Sequence, residues 1–141
     1  MPVTLPLDEM TVAEKLQLME TLWSDLSRHA DALESREWHG EILAERGRRK
    51  AALVYGAVDA SGGFFQAAVA MPWRSPVNVC FRLGQAELTD HFVAEAEAAG
   101  LHYLRGHPQL GGLRASLYNA LPEAGAAALA DFMIDFQRRW G

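Results

Sequence analysis

Around residue 60 the apolar residues of this 141-residue chain stop recurring at helical spacing and begin to alternate with polar ones. That change restricts the chain to a mixed architecture, because one kind of element cannot satisfy both a 3.6-residue and a two-residue period. Before it, Val12, Leu16, Met19, Trp23 and Leu26 recur at intervals of four and three. Such spacing predicts one apolar face on a helix of about four turns. Leu18 and Leu22 widen the face. Thr11-Val12-Ala13-Glu14 fits a capping box, in which the Thr11 oxygen accepts from a first-turn amide and Glu14 reaches back. Ser35 suits the cap of a second helix, continued by Trp38, Ile42, Leu43, Leu53 and Val54. Gly47 weakens this helix and marks a candidate junction, and the glycines from Gly56 to Gly63 are expected to break it.

After the change, Phe64–Val69 predicts a strand and Met71–Pro76 a turn. Val77-Asn78-Val79-Cys80-Phe81-Arg82-Leu83 alternates throughout and is the clearest strand of the chain. A third helix is expected from about Ala86 to Ala99, stopped by Gly100. Leu101–Leu104 predicts a short strand, Gly106–Gly112 a loop and Leu113–Tyr118 another strand. Pro122 suits the first turn of a last helix, which would bury Ala126, Leu129, Phe132, Met133, Phe136 and Trp140. The fold class is therefore α+β. Two N-terminal helices precede a β-β-α-β-β-α pattern, expected to form a small antiparallel or mixed sheet with helices packed on one face.

Composition narrows the function classes. Half the residues are hydrophobic, which is enough for a packed core without disulfide staples. The net charge of −5 gives no basic surface for nucleic acid. Cys80 is the one cysteine, so no internal disulfide or cysteine-cluster zinc site is expected, and no metal site is assigned. No apolar run approaches the ~20 residues that span a bilayer. Residues 1–6 lack the pattern of a signal peptide, so the expected compartment is the cytoplasm.

The stretches Lys50-Ala51-Ala52-Leu53-Val54-Tyr55-Gly56, Asp59-Ala60-Ser61-Gly62-Gly63-Phe64 and Phe81-Arg82-Leu83 carry a resemblance. So do Leu104-Arg105-Gly106-His107 and Gly111-Gly112-Leu113-Arg114-Ala115-Ser116-Leu117-Tyr118-Asn119-Ala120-Leu121-Pro122. Residues 50–141 resemble the C-terminal small domain of phosphoserine aminotransferases, which are fold-type I pyridoxal-phosphate enzymes. A different likeness lies in Thr11-Val12-Ala13-Glu14-Lys15, Glu20-Thr21-Leu22-Trp23-Ser24, Glu37-Trp38-His39 and Ile42-Leu43-Ala44-Glu45-Arg46. Residues 8–46 resemble the short addiction-module component family of bacterial antitoxins. The resemblances imply a helical segment over residues 1–49 and an aminotransferase-like α+β domain over residues 50–141.

The aminotransferase resemblance implies that Arg114 binds a substrate carboxylate, for which the guanidinium fork is suited. It also implies that His107 helps hold a substrate phosphate. The family has an arginine after that histidine, whereas this chain has Pro108, which supplies neither charge nor donor. The family's Schiff-base lysine lies in its large domain, and neither Lys15 nor Lys50 matches it. No catalytic residue and no bound cofactor are therefore expected here, and the implied function is that of a truncated relative inactive alone. The implied partners are a second copy in a homodimer or a separate aminotransferase large domain. The antitoxin resemblance implies instead a ParE/RelE-type toxin bound through Trp23 and Trp38. From the residues alone, Trp23, Trp38 and Trp140 read as packing residues and Cys80 as a small buried strand residue. His29, His39, His91 and His102 read as solvated, as does the run Arg46-Gly47-Arg48-Arg49-Lys50.

Overall fold

The computed structural model of the chain describes residues 5–29 and 37–141, with side chains from residue 39 onward in the second stretch. The expected cap Ser35 lies outside the described residues. The chain divides into two compact units, Met1–Glu37 and Trp38–Gly141.

The first unit is built on helix α1, Val12–Arg28. Its capping box is formed as the sequence predicts. The Glu14 amide donates to Thr11 Oγ1 at 3.3 Å, and the Thr11 amide donates to Glu14 Oε2 at 2.7 Å. That second contact holds the Glu14 carboxyl below the usual range. None of the α1 residues is buried.

The second unit is α+β, with helices α2 (Glu37–Asp59), α3 (Thr89–Ala98) and α4 (Glu123–Trp140). A 3-10 turn, Ala86–Leu88, leads into α3. The sheet has three strands, β1 (Phe65–Ala67), β2 (Asn78–Leu83) and β3 (Leu113–Ser116), antiparallel in the order β1-β2-β3. α2 runs through Gly47 and Gly56 without a break and ends at Asp59, with Gly62 and Gly63 turning the chain at positive φ. Alternation along β2 places Val79, Phe81 and Leu83 inward. They meet Val54 of α2, Phe92 of α3 and Met133 and Phe136 of α4 in one core.

The strand expected at Leu101–Leu104 does not form. Tyr103 takes a φ of +62°, which breaks the extended backbone, and only one bridge remains, between Arg105 and Leu113. The sheet therefore has three strands where the sequence predicted four.

Two ion pairs tie the surface of this unit. Arg74 donates to both Asp59 oxygens, at 2.7 and 2.8 Å, and Arg139 contacts Glu95 at 2.6 Å. Hydrogen bonds from these arginines hold both carboxyls below their usual range. A carboxyl lowered on folding stabilises the fold above its unfolded pKa, and that contribution is lost as pH falls through the lowered value. Thermal melts taken downward from pH 5 should lose stability over this range. Arg139→Gln should flatten the dependence, because it removes the Glu95 share.

Candidate active site

The outward face of the sheet carries the polar residues. β2 turns Asn78, Cys80 and Arg82 away from the core, and β3 turns out Arg114 and Ser116. The register sets Arg114 opposite Cys80 and Ser116 opposite Asn78, where the Ser116 hydroxyl donates to Asn78 Oδ1 at 3.2 Å. Arg82 Nε donates to Gln66 Oε1 at 3.1 Å. The Arg114 amide is anchored on the Leu104 carbonyl at 2.7 Å. Its guanidinium makes no hydrogen bond or ion pair among the described residues, so no local acid neutralises it.

The loop from Gly106 to Gly112 folds over this face. The Gly106 amide donates to the Gly112 carbonyl at 3.0 Å, and the Gly111 amide donates to the His107 carbonyl at 2.8 Å. A side chain at residue 106 would collide with the Gly111 carbonyl oxygen, which explains the glycine there. A cavity of about 430 Å³ opens between loop and sheet, lined by His107, Arg114, Arg82 and Cys80 among others, and no acidic residue lines it. The Gln109 amide donates to His107 Nδ1 at 3.2 Å, leaving Nε2 for a ligand. A second cavity of about 590 Å³ is lined by Arg114 together with Tyr103, Ser116 and Tyr118. Two guanidinium groups and an imidazole around an acid-free cavity suit an anionic ligand.

His107 and Arg114 therefore share one cavity, and Arg82 is a second guanidinium there that the sequence reading did not single out. Its signal was the alternation itself, since Cys80 and Arg82 must lie on one face. The same alternation corrects the expectation for Cys80, which is partly exposed on the outer face rather than buried in the core. Trp23 does not pack in a core either; it is 73% exposed on α1. The Trp38 side chain lies outside the described residues. Trp140 meets the His91 ring edge-on at 4.4 Å, yet it is 42% exposed and so is not buried by α4 as expected. His91 is not freely solvated as expected, because its Nε2 lies 2.8 Å from Glu95 Oε1.

Lys50 is the largest departure from expectation. Read as part of a solvated run, it is 2% exposed. Its ammonium donates to the carbonyls of Leu117, Tyr118 and Leu121 at 3.3, 2.7 and 3.0 Å. Arg48 and Arg49 of the same run are exposed and pair with Glu45. A lysine held by three carbonyls is not available as an amine nucleophile, and Lys15 is half-buried on α1. Lys50, so held, does not fit a Schiff base with pyridoxal phosphate. Among the described residues, no three His, Cys, Asp or Glu side chains gather as a metal site. Among those residues, too, no helix is long and apolar enough to cross a membrane.

Comparison with known proteins separates the two ends of the chain. Residues 9–60 match the family model described as "Putative addiction module component". Over 99 residues the chain is 60% identical to phosphoserine aminotransferase of Stenotrophomonas maltophilia (strain K279a). It is 56% identical over 99 residues to that of Xanthomonas campestris pv. campestris (strain 8004). Each match covers 70% of this chain and 27% of the relative. The solved phosphoserine aminotransferase from Bacillus circulans subsp. alkalophilus superposes with a TM-score of 0.67 at 45% identity. That superposition covers 69% of this chain and 27% of the solved one. The C-terminal part of the chain is thus homologous to phosphoserine aminotransferases, and the chain spans 27% of the length of the relatives it matches.

Proposed function

We propose that residues 50–141 form the substrate-side part of a phosphoserine-aminotransferase-type site, and that this part alone does not transaminate. The observation that carries the reading is the unpaired Arg114 guanidinium on a cavity shared with His107. Arg114 would take a carboxylate by its two-pronged fork, and His107 one oxygen of a phosphate. Pro108 leaves the phosphate side with one group fewer than the family offers. Lys50 is committed to three carbonyls and Lys15 does not match the family's lysine, so no side chain of this part is assigned to hold the cofactor.

Calorimetric titration with phosphoserine tests the proposal. An exposed ion pair contributes only about 0–1 kcal/mol, so the wild type should bind more weakly than roughly 1 mM. Pro108→Arg should bring measurable binding, and adding Arg114→Ala should abolish it. Tight binding by the wild type would overturn the claim that the part is idle. A gain in Pro108→Arg that ignores Arg114→Ala would overturn the role of Arg114.

A second reading concerns the N-terminal unit. The match of residues 9–60 to the addiction-module family, together with the exposed Trp23, supports an interaction module that binds a toxin protein. Far less of the chain supports it than supports the first reading.

A further inference from the structure

The apolar face of α1 is complete but uncovered. Val12, Leu16, Met19, Trp23 and Leu26 are between 44% and 73% exposed, and Leu22 beside them is 50% exposed. Their spacing is that of a heptad seam, with Leu16 and Trp23 at one core position and Val12, Met19 and Leu26 at the other. The charges beside the seam indicate its occupant. Lys15 directly precedes a core residue and Glu20 directly follows the next one. In a parallel pair of helices these two flanking positions face each other across the seam. Lys15 of each copy would then meet Glu20 of the other, and twofold symmetry makes the pair twice. An antiparallel arrangement matches like flanking positions and offers no such Lys–Glu pair.

We propose that α1 is a parallel dimerisation helix whose partner is α1 of a second copy of this chain. The inference rests on α1 alone and is independent of how the C-terminal site is used. The helix has 17 residues, under three heptads, so the dimer is weak and concentration-dependent.

Sedimentation equilibrium of the full chain across the micromolar range tests it. The wild type should dimerise, and Leu16→Glu should abolish the dimer while the near-ultraviolet spectrum of the C-terminal unit is unchanged. Lys15→Glu replaces two attractions by repulsions and should weaken the dimer roughly tenfold. Lys15→Glu combined with Glu20→Lys should restore it, a result that loss of helix cannot produce. For orientation, Leu16→Cys in a Cys80→Ser background should form an interchain disulfide under mild oxidation. A wild type that stays monomeric would overturn the proposal, including one that engages α1 only with a different protein. So would a dimer indifferent to Leu16→Glu, a double charge reversal that fails to restore it, or absence of the interchain disulfide in the Leu16→Cys variant.

Discussion

Lys50→Met lowers the unfolding free energy of the C-terminal unit by about 2–4 kcal/mol, because three carbonyls lose a charged hydrogen-bond donor. The ammonium reaches three carbonyls of the segment that joins β3 to α4. Methionine has similar length and apolar character but no donor, so all three oxygens lose the ammonium, while Tyr118 O keeps the Leu121 amide at 2.9 Å. Each buried acceptor left unsatisfied costs about 1–3 kcal/mol. The desolvation of the lysine itself is relieved, which is why the expected loss is below the sum of such penalties. Urea denaturation gives the magnitude. Hydrogen exchange gives the location, because protection should fall first around Leu117 and Leu121. A loss under about 1 kcal/mol would mean that water enters and replaces the ammonium.

Phe92→Ala should be at least as damaging for a different reason. Phe92 is fully buried, and its ring centre lies 5.0 Å from Phe136, 5.2 Å from Phe132, 5.6 Å from Phe65 and 6.3 Å from Phe81. Those rings come from β1, β2 and α4, so one side chain on α3 joins the sheet to the last helix. Truncation removes the transferred area and leaves a cavity that four aromatic neighbours cannot collapse into, a cost of about 3–5 kcal/mol. For a unit of this size the melting temperature should fall by roughly 15–30 °C. Phe92→Leu retains most of the volume and should cost under about 2 kcal/mol. Equal losses for the two variants would argue against a packing origin.

Local signals were legible where one element decides the outcome. The capping box at Thr11 and the alternation of Val77–Leu83 required no knowledge of neighbours, and both formed as read. The strand at Leu101–Leu104 failed because a single backbone angle, at Tyr103, cannot be inferred from its apolar residues. Lys50 was misread for a tertiary reason. Its acceptors lie 67 to 71 residues further along, and nothing in the adjacent charge run separates it from Arg48 or Arg49. The joint placement of Arg114 and His107 came through resemblance. Arg82 was accessible from alternation but gained significance only once β2 and β3 were seen in register.

The position of Lys50 also sets a limit on modular rearrangement. From residue 39 to residue 49 the helix α2 has no buried residue; from Lys50 onward it supplies Ala51, Val54, Ala57 and Val58 to the core. Main-chain bonds within a helix are indifferent to side-chain identity, so unrelated sequence can be spliced onto the outer turns at little energetic cost. A splice one residue later would remove the lock on the β3–α4 connection. Lys50 is thus the innermost boundary at which another helical segment can be grafted without dismantling the recipient, and the 99-residue likeness to phosphoserine aminotransferases, longer than residues 50–141, reaches past it into those outer turns.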